Sequence, residues 1–309
     1  MAKIPRMHAF GEEQIAPANG IELCFQEMGD ADGEPLLLVM GLATQMIAWN
    51  PEFCSLLADR GFRVVRFDNR DIGRSTKVES AGVPSRVDML TGRRATAPYL
   101  LTDMARDSFA LMDHLEVDSA HVVGASMGGM IAQQMAIDNP DRVSSMVSIM
   151  STTGSRWTGL PSMKAFGVLF GGPPKGRDQV IERAVKTFKV IGSPGFPFEE
   201  DRIREIAAAS YDRGHSAAGV ARQLHAIFAS GDRTSALRQT DVPTAVIHGG
   251  SDVLVRPAGG RATARAVPGA RLRVIDGMGH DLPPALWPEI SDEIAANAAR
   301  ASERVQQAA

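Results

Sequence analysis

A serine, an aspartate and a histidine stand at three points of the chain where they could serve one reaction. Ser126 is the centre of Gly124-Ala125-Ser126-Met127-Gly128. Asp252 closes His248-Gly249-Gly250-Ser251-Asp252, and His280 closes Asp276-Gly277-Met278-Gly279-His280. A serine hydroxyl is a weak nucleophile until a base takes its proton, and an imidazole serves as that base when a carboxylate orients it. The three residue types together can therefore attack an acyl carbon and pass through a covalent acyl-enzyme.

The surroundings of Ser126 suit a nucleophile. Ala120-His121-Val122-Val123 is a short apolar, β-branched run, as in a strand buried on both faces. Met127 to Ile137 has apolar residues at helical spacing. Glycines two before and two after the serine allow a turn too tight for a Cβ, and the helix that follows brings the positive end of its dipole to the hydroxyl. The five-residue pattern alone is short and would also fit an ordinary glycine-serine turn. A dinucleotide loop is disfavoured, because serine stands where the middle glycine of that fingerprint belongs and several strands precede it.

The acid and the base should follow the nucleophile in chain order, each on a loop after a strand. Asp252 follows the strand-like Pro243-Thr-Ala-Val-Ile-His248, and His280 follows Leu272-Arg-Val-Ile275. The other histidines fit less well. His8, His114 and His121 come too early, His215 and His225 fall in helical segments, and His248 precedes the acid. Asp281 adjoins His280 and would point away from its ring, while Asp276 stays open as an alternative acid. The oxyanion of a tetrahedral intermediate needs two donors. The Met127 N–H is one, and the Leu42 N–H, in the turn after Pro35-Leu-Leu-Leu-Val-Met40, is the other, unless Gly41 is simply a turn glycine.

These residues need strands and helices to hold them. Ile21 to Gln26 alternates as an edge or antiparallel strand does, and Phe62 to Phe67 and Val143 to Ile149 are further strands. Pro51 to Arg60 reads as a helix stopped by Gly61, and Thr102 is a candidate cap for a helix running to Leu115. Thr76 to Pro98 has no period and reads as a surface excursion. Alternating strands and helices require a mainly parallel, doubly wound sheet. The alternation stops between Gly154 and Thr240, where amphipathic helices are expected over Gln179–Ile191, Glu199–Tyr211 and Ala217–Ala229. It resumes at Pro243 and ends with a helix near Ala258–Ala266 and another from Pro284. The expected division is therefore a core of residues 1–153 and 241–309 with a helical insertion at 154–240.

Composition narrows the function. The 309 residues are 44% apolar, enough for a large core, and a net charge of −3 argues against a nucleic-acid partner. Cys24 and Cys54 lack metal-ligand spacing and read as buried reduced thiols. No apolar h-region starts the chain and no run is long enough to span a bilayer, so cytoplasmic residence without membrane insertion is expected.

Five stretches resemble the α/β-hydrolase fold: Val39-Met-Gly-Leu42, Phe67-Asp-Asn-Arg-Asp-Ile-Gly-Arg-Ser75, Val123-Gly-Ala-Ser-Met-Gly-Gly129, His248-Gly-Gly-Ser-Asp252 and Gly277-Met-Gly-His-Asp281. Met40-Gly41, where many members carry His-Gly, is similar to the branch of aclacinomycin methylesterase and related bacterial lipases and carboxylesterases. The resemblance implies an eight-stranded, mostly parallel sheet flanked by helices, with the insertion as a cap over the active site. It implies a serine carboxylester hydrolase acting on a small-molecule, moderately apolar ester without metal or organic cofactor. Lactonase, C–C hydrolase and perhydrolase chemistry could use the same three residues, and a non-catalytic ligand-binding receptor is the alternative of another class. Trp49, Met150, Trp157, Phe166, Phe170 and Tyr211 are the candidate pocket residues, although most cap aromatics are expected to glue the cap to the sheet.

Overall fold

The computed structural model describes residues 8–169 and 174–308. Eight strands form one sheet: β1 (Gln14–Ala18), β2 (Ile21–Met28), β3 (Glu34–Val39), β4 (Phe62–Phe67), β5 (Ala120–Ala125), β6 (Val143–Ile149), β7 (Thr244–Gly249) and β8 (Arg271–Ile275). Their order is β1-β2-β4-β3-β5-β6-β7-β8. β2 pairs antiparallel with β1 and β4, and every later pairing is parallel.

Alternation along the strands divides the core into two layers. Leu37, Val39, Val65, Phe67 and Val122 face the helices Leu101–His114 and Met127–Asp138. Leu36, Leu38, Val64, Val123 and Ile247 face the helices Pro51–Ala58 and Trp287–Ala308. Both faces of β3 and β5 are covered, so the strands read as unbroken apolar runs rather than as alternating ones. The chain leaves β3 toward β4 on one side and returns as β5 on the other. The strand order thus reverses between β3 and β5, and in open α/β sheets ligands bind in the crevice at such a point.

Two expectations shift, and β1 is a strand without a sequence signal of its own. β1 carries Pro17 and two alanines and has little strand character in sequence. It forms because it is an edge, where a missing N–H leaves no ladder bond unmade. Thr102 does not cap its helix. The helix starts at Leu101, Asp103 accepts from the Leu100 N–H at 2.8 Å, and Ser230 accepts from the Leu101 N–H at 2.9 Å. The excursion after Thr76 contains a helix, Arg86–Thr91, which packs against the helix Ala217–Ser230. The C-terminal helix runs from Trp287 to Ala308.

Between β6 and β7 the described residues contain helices and no strand: Met163–Leu169, Arg177–Ile191, Glu200–Gly214, Ala217–Ser230 and the short Thr234–Leu237. This segment is held to the loop after β4 by buried charge. Arg222 Nε and Nη2 donate to the two oxygens of Asp71 at 2.8 and 2.6 Å, and Arg213 Nη2 donates to Asp68 at 3.0 Å. The Asp68-Asn69-Arg70-Asp71 run is therefore a docking strip for the insertion.

Candidate active site

Ser126 sits between β5 and the helix Met127–Asp138 with φ 56° and ψ −117°, a backbone region that L residues rarely adopt. The neighbouring glycines explain how the turn closes. A Cβ on Gly124 would lie 2.1 Å from the Gly128 carbonyl oxygen, and one on Gly128 would lie 2.0 Å from the Val39 carbonyl oxygen. The Ser126 N–H donates to the Ile149 carbonyl at 2.9 Å, and its carbonyl accepts from Ser151 Oγ at 2.7 Å. The strain at one residue is thus balanced by bonds to the end of β6 and to Ser151 just beyond it.

The structure brings the three residues together across more than 120 positions of sequence. His280 Nε2 lies 3.0 Å from Ser126 Oγ, and His280 Nδ1 lies 2.7 Å from Asp252 Oδ2. With Nδ1–H donated to the carboxylate, Nε2 is the atom left to accept the serine proton. The other oxygen of Asp252 accepts from the Leu254 and Val255 amides at 2.8 and 2.9 Å, which fixes the carboxylate in its loop. Asp252 and His280 are 3% and 8% exposed, so solvent does little to screen the pair.

The remaining histidines have other partners. His248 Nε2–H donates to the Val255 carbonyl at 2.7 Å, and burial holds its pKa below the usual imidazole value, keeping it neutral behind Asp252. His225 is buried, with Nε2 3.2 Å from the Arg93 carbonyl. His121 is buried beside Ser145 and Glu34. Asp281 accepts from Ser193 Oγ and turns away from the imidazole.

The turn after β3 lies against the serine. A Cβ on Gly41 would meet the Ala125 carbonyl oxygen and Ser126 Cβ at 3.1 Å. Among the described residues, the Leu42 and Met127 N–H groups donate to no protein acceptor, so both remain available to a ligand oxygen. Four bonds hold the turn: Asn69 Nδ2 donates to the Met40 carbonyl at 2.9 Å, the Thr44 N–H donates to the Gly41 carbonyl at 3.3 Å, Thr44 Oγ1 donates to the Leu42 carbonyl at 3.0 Å, and the Ala43 N–H donates to Gln223 Oε1 at 3.1 Å. Asn69 stands in the run quoted above. Gln223, a polar residue on an otherwise mixed helix, carries no sequence signal for this role.

The insertion also holds the base. The His280 N–H donates to the Ile191 carbonyl at 2.7 Å, the Gly279 N–H donates to Ser193 Oγ at 2.8 Å, and the Gly195 N–H donates to the Gly277 carbonyl at 2.9 Å. Gly279 is needed there, because a Cβ would lie 2.2 Å from the Gly192 carbonyl oxygen.

The candidate pocket residues divide. Met150, with φ 44°, is 4% exposed directly after β6. Trp49 is fully buried and stacks on Phe53 at 5.8 Å, within the core layer that also holds Met40 and Met150. Tyr211 stacks on His215 at 5.7 Å. Trp157 is 91% exposed and stands in solvent rather than in an enclosed wall. The Phe166 side chain and the whole of Phe170 lie outside the described residues. Cys24 and Cys54 are free and buried, and burial pushes both thiols up to about 12, which leaves them unreactive. Among the described residues no His, Cys, Asp and Glu group is arranged to hold a metal ion, and no helix is long and apolar enough to cross a membrane.

A family model described as the alpha/beta hydrolase fold matches residues 34–283. The chain is 29% identical over 300 residues to rhodomycin D methylesterase from a Streptomyces strain, covering 90% of this chain and 95% of the relative. It is 25% identical over 271 residues to 3-oxoadipate enol-lactonase 2 of Acinetobacter baylyi, covering 87% and 91%. Among solved structures, 2-hydroxy-6-oxo-6-phenylhexa-2,4-dienoate hydrolase from a Rhodococcus strain superposes with a TM-score of 0.72 at 17% identity, covering 96% and 99% of the two chains. At that identity the likeness speaks for the fold alone.

Proposed function

The chain belongs to the α/β-hydrolase fold family, and we propose that it is a serine carboxylester hydrolase working through an acyl-enzyme. The observation that carries this reading is the hydrogen-bond relay Ser126–His280–Asp252, with distances of 3.0 and 2.7 Å, at the crevice between β3 and β5.

In this reading His280 Nε2 takes the Ser126 proton as Oγ attacks the ester carbonyl, and Asp252 stabilises the imidazolium that forms. The Leu42 and Met127 amides receive the oxyanion. His280 then protonates the departing alcohol, and water activated by the same imidazole hydrolyses the acyl-enzyme. No metal or organic cofactor is required. Residues 154–240 act as the cap of a core made of 1–153 and 241–309, and buried Met150 contributes an apolar surface beside the elbow. Similarity to a methylesterase over nearly the whole chain supports an ester of a small alcohol, and similarity to an enol-lactonase makes a lactone, a cyclic ester, the second substrate to assay.

The test is a panel of methyl, ethyl and p-nitrophenyl esters, lactones and vinylogous diketones, assayed with the wild type and with Ser126→Ala. Hydrolysis of the acyclic esters that is lost in Ser126→Ala is the expected result. Ester hydrolysis undiminished by that substitution would remove the assignment.

A further inference from the structure

The turn that presents the Leu42 N–H is braced from within by Thr44 alone, whose N–H donates to the Gly41 carbonyl at 3.3 Å and whose Oγ1 donates to the Leu42 carbonyl at 3.0 Å. Gly41 has no side chain to restrict its rotation, and Ala43 sits at φ 62°, a left-handed conformation disfavoured for a residue with a Cβ. The peptide that carries the Leu42 N–H shares its plane with the Gly41 carbonyl, and it lies between two others. The preceding peptide is held by Asn69 through the Met40 carbonyl, at 2.9 Å. The following one is held at its N–H end from outside the turn, by Gln223 through the Ala43 N–H at 3.1 Å, and at its carbonyl end by Thr44 Oγ1.

Gln223 belongs to the insertion, not to the core, and its amide is fully buried. Its other end donates from Nε2 to the Arg70 carbonyl at 2.8 Å, so the side chain bridges the turn after β3 and the loop after β4. Close backbone approach keeps it there: a Cβ on Gly219, one helical turn earlier, would lie 2.2 Å from the Asp71 carbonyl oxygen. The neighbouring Arg222 is locked onto Asp71 by two hydrogen bonds.

We infer that Gln223 is a positioning residue for the oxyanion turn, adding to the braces from Asn69 and Thr44 one that holds the Leu42 donor in place while the helix Ala217–Ser230 is docked on the Asp68–Asp71 strip. The inference rests on the serine hydrolase reading. An N–H rotated away from Ser126 would still let substrate bind but would not receive the charge that develops in the transition state. The signature is therefore a loss in kcat with little change in KM.

The test compares Gln223→Met, which keeps the length of the side chain and loses both hydrogen bonds, with Gln223→Glu, which keeps an acceptor for the Ala43 N–H. Rates are expressed per active site after end-point titration with a fluorophosphonate, which also counts the folded enzyme. Misplacement of one oxyanion donor is expected to lower kcat by about 10- to 100-fold in Gln223→Met with KM within about 3-fold. A trifluoromethyl ketone, whose adduct carries the same oxyanion, should weaken in parallel, and Gln223→Glu should recover part of both losses. A wild-type kcat in Gln223→Met, or a loss expressed in KM alone, overturns the inference. Equal losses in the two variants that track equal falls in melting temperature also overturn it, since they assign Gln223 to packing. Labelling of wild-type Ser126 is scored first: its absence fails the underlying serine reading, whereas labelling with an unchanged kcat in Gln223→Met fails this inference only.

Discussion

Replacing Arg222 by methionine should destabilise the protein by an amount that depends on pH. Arg222 is 1% exposed, makes two hydrogen bonds to Asp71, and donates Nη1 to the Gly82 carbonyl at 2.7 Å. Methionine fills much of the stem volume and leaves Asp71, itself fully buried, with two neutral donors: the Tyr99 hydroxyl at 2.6 Å and the Val78 N–H at 2.8 Å. Removing one partner of a buried pair costs about 3–5 kcal/mol. The two remaining donors still solvate the carboxylate, which places this case near the lower end, at about 3 kcal/mol. For a chain of this size each kcal/mol moves the midpoint by roughly 2 °C, so the melting temperature should fall by about 6 °C at neutral pH.

The sign of the pH dependence follows from Asp71. Burial raises its pKa, but the hydrogen bonds from Arg222 and Tyr99 outweigh burial and leave it lowered. A carboxylate lowered in the folded state contributes stability above its unfolded pKa and loses it as pH falls through the folded value. Without Arg222, burial dominates and the variant carboxyl titrates higher. The gap between the proteins is therefore full at pH 7, and it narrows once the pH falls below the raised value in the variant. Thermal melts of both proteins between about pH 4.5 and 8 measure it. A fall below about 2 °C at pH 7, or a gap of constant size across the range, would refute the reasoning.

Three other outcomes are expected. Asp252→Asn should lower kcat by about 10⁴-fold with KM little changed in steady-state ester hydrolysis, because the amide no longer selects the productive His280 tautomer. A loss under tenfold would make another residue the orienting acid. Gly128→Ala places a Cβ 2.0 Å from the Val39 carbonyl oxygen, which β3 cannot avoid without moving. Its denaturant midpoint should drop by the equivalent of about 3 kcal/mol, at the top of the usual overpacking range, and a wild-type midpoint would contradict the close approach. Cys24 and Cys54, with thiols near 12, should stay unmodified by iodoacetamide in the native protein at about pH 8, as read by intact mass.

Much of the sheet was legible because parallel strands covered on both faces are unbroken apolar runs. Leu36–Val39 and Val122–Ala125 have no other reading at their length. β1 was not legible, since an edge strand can carry Pro17 and hold its place by pairing alone. The Ser126, Asp252 and His280 constellation could be anticipated because chain order and strand ends constrain where such residues fall. The supports of the site could not. Gln223, Ser193 and Asn69 act through hydrogen bonds to backbone atoms, and any polar residue of suitable length would look the same in sequence. Pocket aromatics were the least legible. An aromatic side chain reads alike whether it stacks in a core layer, as Trp49 does on Phe53, or stands in solvent, as Trp157 does.

The proposed mechanism requires that Ser126 Oγ be the atom acylated during turnover. Intact-mass and peptide-mapping spectrometry after incubation with a fluorophosphonate tests it most directly, with Ser126→Ala and His280→Ala as controls. The account predicts one adduct per chain, mapped to the peptide containing Ser126, absent from Ser126→Ala and slowed by several orders of magnitude in His280→Ala. An adduct on another residue, or equal labelling of the wild type and Ser126→Ala, would contradict it.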